Sequence, residues 1–161
     1  MTRWEEFHVL PGVPGAVGRL NRAGLRVIVV SNQRGIARGL YTAANVESIH
    51  AAFQGQLARS GAHIDAFFVC PHDQGQCNCR KPLPGLFEQA IARFPEITGH
   101  TSVMIGDSFS DIEFGRRLGM ATICIDVEPQ RRSPHVEEVA KLADLRCASL
   151  PDAVDAMLTK H

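Results

Sequence analysis

The chain has 161 residues, which suits one domain with a sizeable core. Lys plus Arg and Asp plus Glu number 17 each, so the net charge is zero and the basic footprint of a nucleic-acid binder is excluded. Residues 1–10 carry Arg3, Glu5 and Glu6 without the apolar core of a signal peptide, and the longest apolar runs are too short to span a bilayer, so a cytoplasmic protein with no membrane partner is expected.

Val13, Val17 and Leu20 recur at helical spacing within residues 11–24, and Gly24 stands where a helix would end on a left-handed residue. Residues 25–30, apolar and largely β-branched apart from Arg26, predict a buried parallel strand, ending at Ser31, Asn32 and Gln33. Gly35 and Gly39 predict a loop. Thr42 is placed to cap a second helix with a stripe of Val46, Ile49, Phe53 and Leu57, closed by Gly61. Residues 65–69 are a second strand. Pro84 is expected at the first position of a third helix, with Phe87, Ala90, Ile91 and Phe94 inward.

Residues 102–105 form a third strand that ends at Gly106 and Asp107. A short helix with Ile112 and Leu118 follows, stopped by Gly119. Residues 121–125 are a fourth strand, 134–142 a helix by pattern, 145–148 a short strand and 151–158 a last helix. Cys124 and Cys147 fall in apolar runs and read as core residues, and Arg131-Arg132 as a solvated doublet. Strands alternate with helices throughout. This predicts an α/β, Rossmann-like single domain over 1–161, a parallel sheet with helices on both faces.

Between the second strand and the third helix lies the most specific stretch, C-P-H-D-Q-G-Q-C-N-C-R-K at 70–81. Three of the five cysteines and one of the seven histidines fall there. Cys70 with His72 and Cys77 with Cys79 are x-spaced pairs, so each arm can offer both side chains from one face of an extended backbone. A Cys₃His set suits a tetrahedral Zn²⁺ with no open position, hence a structural ion. The plainer reading is that these are ordinary buried or surface cysteines. A disulfide is disfavoured by the expected reducing compartment. Arg80 and Lys81 follow the last ligand, so a metal-fixed loop would present two cations.

Ligands of open α/β sheets bind beyond the carboxyl ends of the strands, and the polar residues gather there. Ser31, Asn32 and Gln33 end one strand, Arg80 and Lys81 follow another, and Asp107 ends a third with Asp111 one turn on. A hydroxyl and a lysine can hold a phosphate, and a carboxylate can hold Mg²⁺. Taken singly, Ser31 reads as a strand end, Asp107 as a helix N-cap, Asp111 as a charge favouring the helix dipole and Lys81 as a surface lysine. Their shared sheet edge is what suggests a Mg²⁺-assisted phosphoryl site.

The motifs V-V-S-N-Q-R-G-I-A-R-G at 29–39, C-P-H…C-N-C-R-K-P at 70–82 and I-G-D-S-F-S-D at 105–111 resemble the haloacid dehalogenase phosphatase superfamily. More narrowly they resemble its branch of D-glycero-D-manno-heptose 1,7-bisphosphate and histidinol-phosphate phosphatases. The resemblance implies that Ser31 and Lys81 stabilise the phosphoryl group, with Asn32, Gln33, Arg34 and Arg80 at the substrate. It implies Mg²⁺ at Asp107 and Ser108, support from Asp111, and Zn²⁺ at Cys70, His72, Cys77 and Cys79. The family attacks phosphorus with the first Asp of an Asp-x-Asp motif on a central first strand. Residues 1–10 contain no Asp, so nucleophile, acid/base and that strand are expected to be missing from this sequence. The partner implied is a small phosphorylated sugar, bound by a monomer. The competing readings are a histidinol-phosphate or other phosphomonoester phosphatase, and a non-catalytic module that binds a phospholigand or a protein.

Overall fold

The computed structural model describes residues 12–72, 75, 77–126 and 141–159. Two compact units divide the chain, Met1–Arg80 and Lys81–His161. The first contains α1 (Val13–Arg22), β1 (Ile28–Asn32), the single turn α2 (Arg34–Ala37), α3 (Ala43–Ala58) and β2 (Ala66–Cys70). Helix α1 buries Ala16, Val17 and Leu20. It ends in a left-handed turn: Gly24, at φ 82°, lets its own N–H reach the Asn21 carbonyl (3.0 Å) and the Leu25 N–H reach Leu20 (3.1 Å).

That turn explains a difference from the expected strand. The amide of Leu25 is used by the helix end, so pairing starts only at Ile28 and runs on through Ser31 and Asn32. The strand is half-buried along its length rather than fully buried, and among the described residues it pairs with β2 in a two-stranded sheet. The two are parallel, in register from Ile28 opposite Ala66 to Asn32 opposite Cys70. Strand β2 begins one residue later than expected, because Asp65 acts as a staple. Its N–H donates to the Val27 carbonyl and its Oδ2 accepts from the Val27 N–H, both at 2.7 Å.

Thr42 caps α3 as expected. Its hydroxyl accepts from the Asn45 N–H while the Asn45 side chain accepts from the Thr42 N–H, a reciprocal cap. Such a cap is worth about 1 kcal/mol. Val46 and Leu57 are buried, with Ile49 and Phe53 half-buried beside them.

The second unit contains α4 (Gly85–Arg93), β3 (Val103–Gly106), α5 (Phe109–Arg117), β4 (Ala121–Ile125), β5 (Leu145–Cys147) and α6 (Leu150–Thr159). Its sheet is parallel, in the order β3-β4-β5. Pro84 is the N-cap of α4 rather than its first residue. The buried stripe is Leu86, Phe87 and Ala90. Ile91 turns outward at 36% exposure, and Phe94 ends the helix. Ser102 follows a 3₁₀ turn at Gly99–Thr101, which delays β3 to Val103.

The core of this unit includes Met104, Ile112, Phe114, Ile123 and Cys124. Buried Thr122 is satisfied by Asp144, whose Oδ2 accepts from the Thr122 N–H at 2.8 Å. Cys124 is buried as expected, while Cys147 is only half-buried. The helix expected at 134–142 lies outside the described residues apart from its last two, and Arg131-Arg132 lies wholly outside them. Parallel strands alternating with helices in both units are the Rossmann-like arrangement expected. Among the described residues no helix is long and apolar enough to cross a membrane.

Candidate active site and metal centre

Strand β2 delivers Cys70 at its last position, and the chain then turns so that His72, Cys77 and Cys79 return to it. One donor atom from each of the four lies within 4.8 Å of every other. The Nδ1 atom of His72 stands 3.8 Å from Cys70 Sγ and 3.5 Å from Cys79 Sγ. These spacings are near the ~3.6 Å N···S edge of a zinc tetrahedron. The sulfurs sit closer together than its ~3.8 Å S···S edge, at 2.6 Å for Cys70 to Cys79 and 3.3 Å for Cys77 to each.

All five cysteines are free thiols. Burial pushes the Cys70 and Cys79 thiols up. Burial opposes ionisation of Cys77 as well. There, hydrogen bonds from Cys70 and from the Cys79 and Arg80 backbone outweigh it and bring the thiol down to about 6. Three convergent sulfurs and an imidazole, with one thiol already inclined to ionise, fit Zn²⁺ and leave no place for a reacting ligand.

The carboxyl end of β1 is tied to this centre. Asn32 is in register with Cys70, and the Gln33 N–H donates to the Cys70 carbonyl at 2.8 Å. Gln33 then folds back, its Nε2 donating to Ser31 Oγ at 2.7 Å. The loop expected at Gly35 and Gly39 is instead the turn α2, closed by the Leu40 N–H on the Gly35 carbonyl at 2.8 Å. It brings Tyr41 back so that its hydroxyl donates to Gln33 Oε1 at 2.5 Å. Gly35 is needed there because a Cβ would run into the Tyr41 ring. Arg34 opens the turn, and its side chain lies outside the described residues. Arg80 follows the last cysteine. Its Nη1 is buried with no hydrogen-bond partner among the described residues, as a guanidinium awaiting an anion would be.

In the second unit Lys81 is 9% exposed and Asp111 10%, and Nζ meets Oδ1 at 2.5 Å. Lys81 is therefore no surface lysine. The other oxygen of Asp111, Oδ2, accepts from the Ser108 hydroxyl at 2.8 Å and from its N–H at 3.3 Å. Ser108 is the N-cap of α5, so the alternative of Asp107 as cap is not the arrangement found. Gly106 makes room, since a Cβ there would collide with the Asp111 carboxyl.

Both oxygens of Asp111 are thus engaged, one by Lys81 and the other by Ser108. The Ser108 hydroxyl also accepts from the Asp111 N–H at 3.3 Å. Asp107 is exposed at the carboxyl end of β3, and its carboxylate bonds to none of the described residues. A hard carboxylate of this kind fits Mg²⁺, which binds one or two carboxylates and retains waters.

Sequence reading missed Tyr41 and its bond to Gln33. The signal available was a lone tyrosine two residues after a glycine with positive φ, which marks a chain reversal but not what the ring meets.

A family model described as haloacid dehalogenase-like hydrolase matches residues 1–119. The chain is 40% identical over 127 residues to the D-glycero-alpha-D-manno-heptose-1,7-bisphosphate 7-phosphatase of Mycobacterium tuberculosis, covering 78% of this chain and 67% of that one. It is 39% identical over 120 residues to the corresponding beta-heptose enzyme of Bordetella bronchiseptica, covering 73% and 65%. It thus spans about two thirds of their length. The crystal structure of a D,D-heptose 1,7-bisphosphate phosphatase from B. bronchiseptica with magnesium and phosphate superposes at TM-score 0.88. There the identity is 29%, over 99% of this chain and 89% of that one. The enzyme from Burkholderia thailandensis gives 0.69 at 28% identity, over 97% and 90%.

Proposed function

The chain belongs to the haloacid dehalogenase-like hydrolase family, and from that premise we propose that residues 1–161 are the greater part of one phosphatase domain that removes the 7-phosphate of D-glycero-D-manno-heptose 1,7-bisphosphate. The observation carrying this reading is the nine-tenths buried Lys81, clamped by Asp111 directly after a convergent Cys₃His cluster. Burying an ammonium is costly, so a chain that fixes one has a use for its charge.

In this reading Ser31 donates a hydrogen bond to the phosphoryl group and Lys81 offsets its negative charge. Asn32, Gln33, Arg34 and Arg80 contact the rest of the substrate, with the buried Arg80 Nη1 open to an anionic group. Asp107, with Ser108 beside it, would hold Mg²⁺, which when bound neutralises charge developing on the transferring oxygens. Cys70, His72, Cys77 and Cys79 would hold Zn²⁺ as a clasp. The free thiols agree with a reducing compartment, and we take the protein to be a cytoplasmic monomer.

Covalent phosphoryl transfer needs a nucleophile, and no Asp-x-Asp occurs in the 161 residues. These residues therefore bind, orient and neutralise the phosphoryl group, and turnover requires an Asp-x-Asp strand joined ahead of them. The test is a set of kcat/KM values for the protein so extended, with both heptose 1,7-bisphosphate anomers and histidinol phosphate as substrates. A heptose bisphosphate should lead. Preference for histidinol phosphate would overturn the substrate, and folded, Zn²⁺- and Mg²⁺-loaded protein without turnover would overturn the activity.

A further inference from the structure

The hydrogen-bond chain Tyr41–Gln33–Ser31 has a direction once an acceptor-only ligand is present. An unprotonated phosphoryl oxygen can only accept, so Ser31 must donate its hydroxyl proton outward to it and accept at Oγ. What it accepts is Gln33 Nε2–H, at 2.7 Å. The same amide then turns Oε1 toward Tyr41, whose hydroxyl donates to it at 2.5 Å. A phenol is a better donor than acceptor, because its lone pair is delocalised into the ring, so this orientation is the favoured one.

The backbone is built to hold it. The turn α2 reverses the chain, the Leu40 N–H closes on the Gly35 carbonyl, and the missing Cβ of Gly35 lets the Tyr41 ring lie against the turn. The Gln33 backbone is pinned in turn by its N–H on the Cys70 carbonyl.

We infer that Tyr41 is a positioning residue that acts through Gln33 to point the Ser31 hydroxyl at the phosphoryl group, an inference resting on the phosphoryl role proposed for Ser31. Without the phenol, the Gln33 amide is free to turn over and present Oε1 to Ser31. The Ser31 proton is then drawn into the protein and away from the ligand. Hydrogen bonds in series polarise one another, so the loss is felt at Ser31 although Tyr41 does not touch the ligand.

The test is calorimetric titration of the Zn²⁺-loaded 161-residue protein with inorganic phosphate in the presence of Mg²⁺. The variants are Tyr41→Phe, Ser31→Ala, Gln33→Leu and the Tyr41→Phe/Ser31→Ala pair, each checked by its melting temperature. Tyr41→Phe should keep the melting temperature and weaken phosphate by roughly 3- to 10-fold, the span of one modest hydrogen bond. In the Ser31→Ala background the same change should weaken it no further, and Gln33→Leu should match or exceed Tyr41→Phe. Wild-type affinity in Tyr41→Phe overturns the inference, as does an equal loss in both backgrounds, the mark of a merely structural role. If the wild type binds no phosphate, or Ser31→Ala binds as the wild type does, the phosphoryl reading of Ser31 itself fails. That outcome is distinct from the first.

Discussion

Replacing Asp111 by Asn isolates the charge that faces Lys81. The amide keeps an oxygen for the Ser108 hydroxyl, so the cap of α5 is retained, while the carboxylate 2.5 Å from a 9%-exposed ammonium is gone. Breaking a buried ion pair from one side costs about 3–5 kcal/mol, because the remaining charge stays out of water. For a chain of this length each kcal/mol moves the melting temperature by about 2–4 °C, so Asp111→Asn should lower it by about 6–20 °C.

The Arg117–Glu113 pair, 54% and 29% exposed at 3.0 Å, is the internal control. Glu113→Gln should cost no more than ~0.5 kcal/mol, since solvent screens an i,i+4 pair at the surface. Adding Lys81→Met to Asp111→Asn removes the ammonium and should recover most of the loss. Thermal unfolding followed by circular dichroism reads all of this. An Asp111→Asn cost as small as that of Glu113→Gln, or a double variant no better than the single, would mean that the Lys81 ammonium does not depend on the Asp111 charge.

Metal analysis of protein purified without chelator should find one Zn²⁺ per chain, lost in Cys79→Ser and kept in Cys147→Ser; a folded, zinc-free wild type would rule the centre out. His50 offers a pH test. Its ring stacks on Phe67 at 4.0 Å between centroids, and burial holds its pKa below the usual 6.5, with Glu47 partly opposing. The unfolded chain therefore takes up this proton more readily than the folded one. The contribution to stability is full above pH 6.5 and falls as the pH drops from there through the lower folded value. Urea unfolding at pH 7.5 and 5.5 should show a smaller pH-dependent loss in His50→Gln than in the wild type. An equal loss would show that His50 is not a source of it.

The elements most legible in the sequence were those whose ends carry their own chemistry. Gly24, Thr42 and Gly119 stop or start helices by turn geometry and side-chain capping, which act within a few residues. The strand starts were less legible, because long-range bonds set them. The staple of Asp65 on Val27 and the helix turn that takes the Leu25 amide each moved a boundary. Of the site, the convergence of Cys70, His72, Cys77 and Cys79 was legible because residue type and spacing are nearly sufficient. The Lys81–Asp111 pair spans thirty residues, so only the family resemblance could suggest it. The burial of Lys81 and the return of Tyr41 to Gln33 depend on packing that no local pattern encodes.

Under the proposed function, Lys81, held by Asp111, neutralises a phosphoryl group being removed from a heptose bisphosphate. The most direct test is ³¹P NMR of D-glycero-D-manno-heptose 1,7-bisphosphate incubated with the Zn²⁺- and Mg²⁺-loaded protein joined to an Asp-x-Asp strand. The C7 phosphomonoester signal should give way to inorganic phosphate while the C1 signal persists, and Lys81→Met should abolish the change. Persistence of both signals with the unaltered protein, or undiminished release with Lys81→Met, would contradict it.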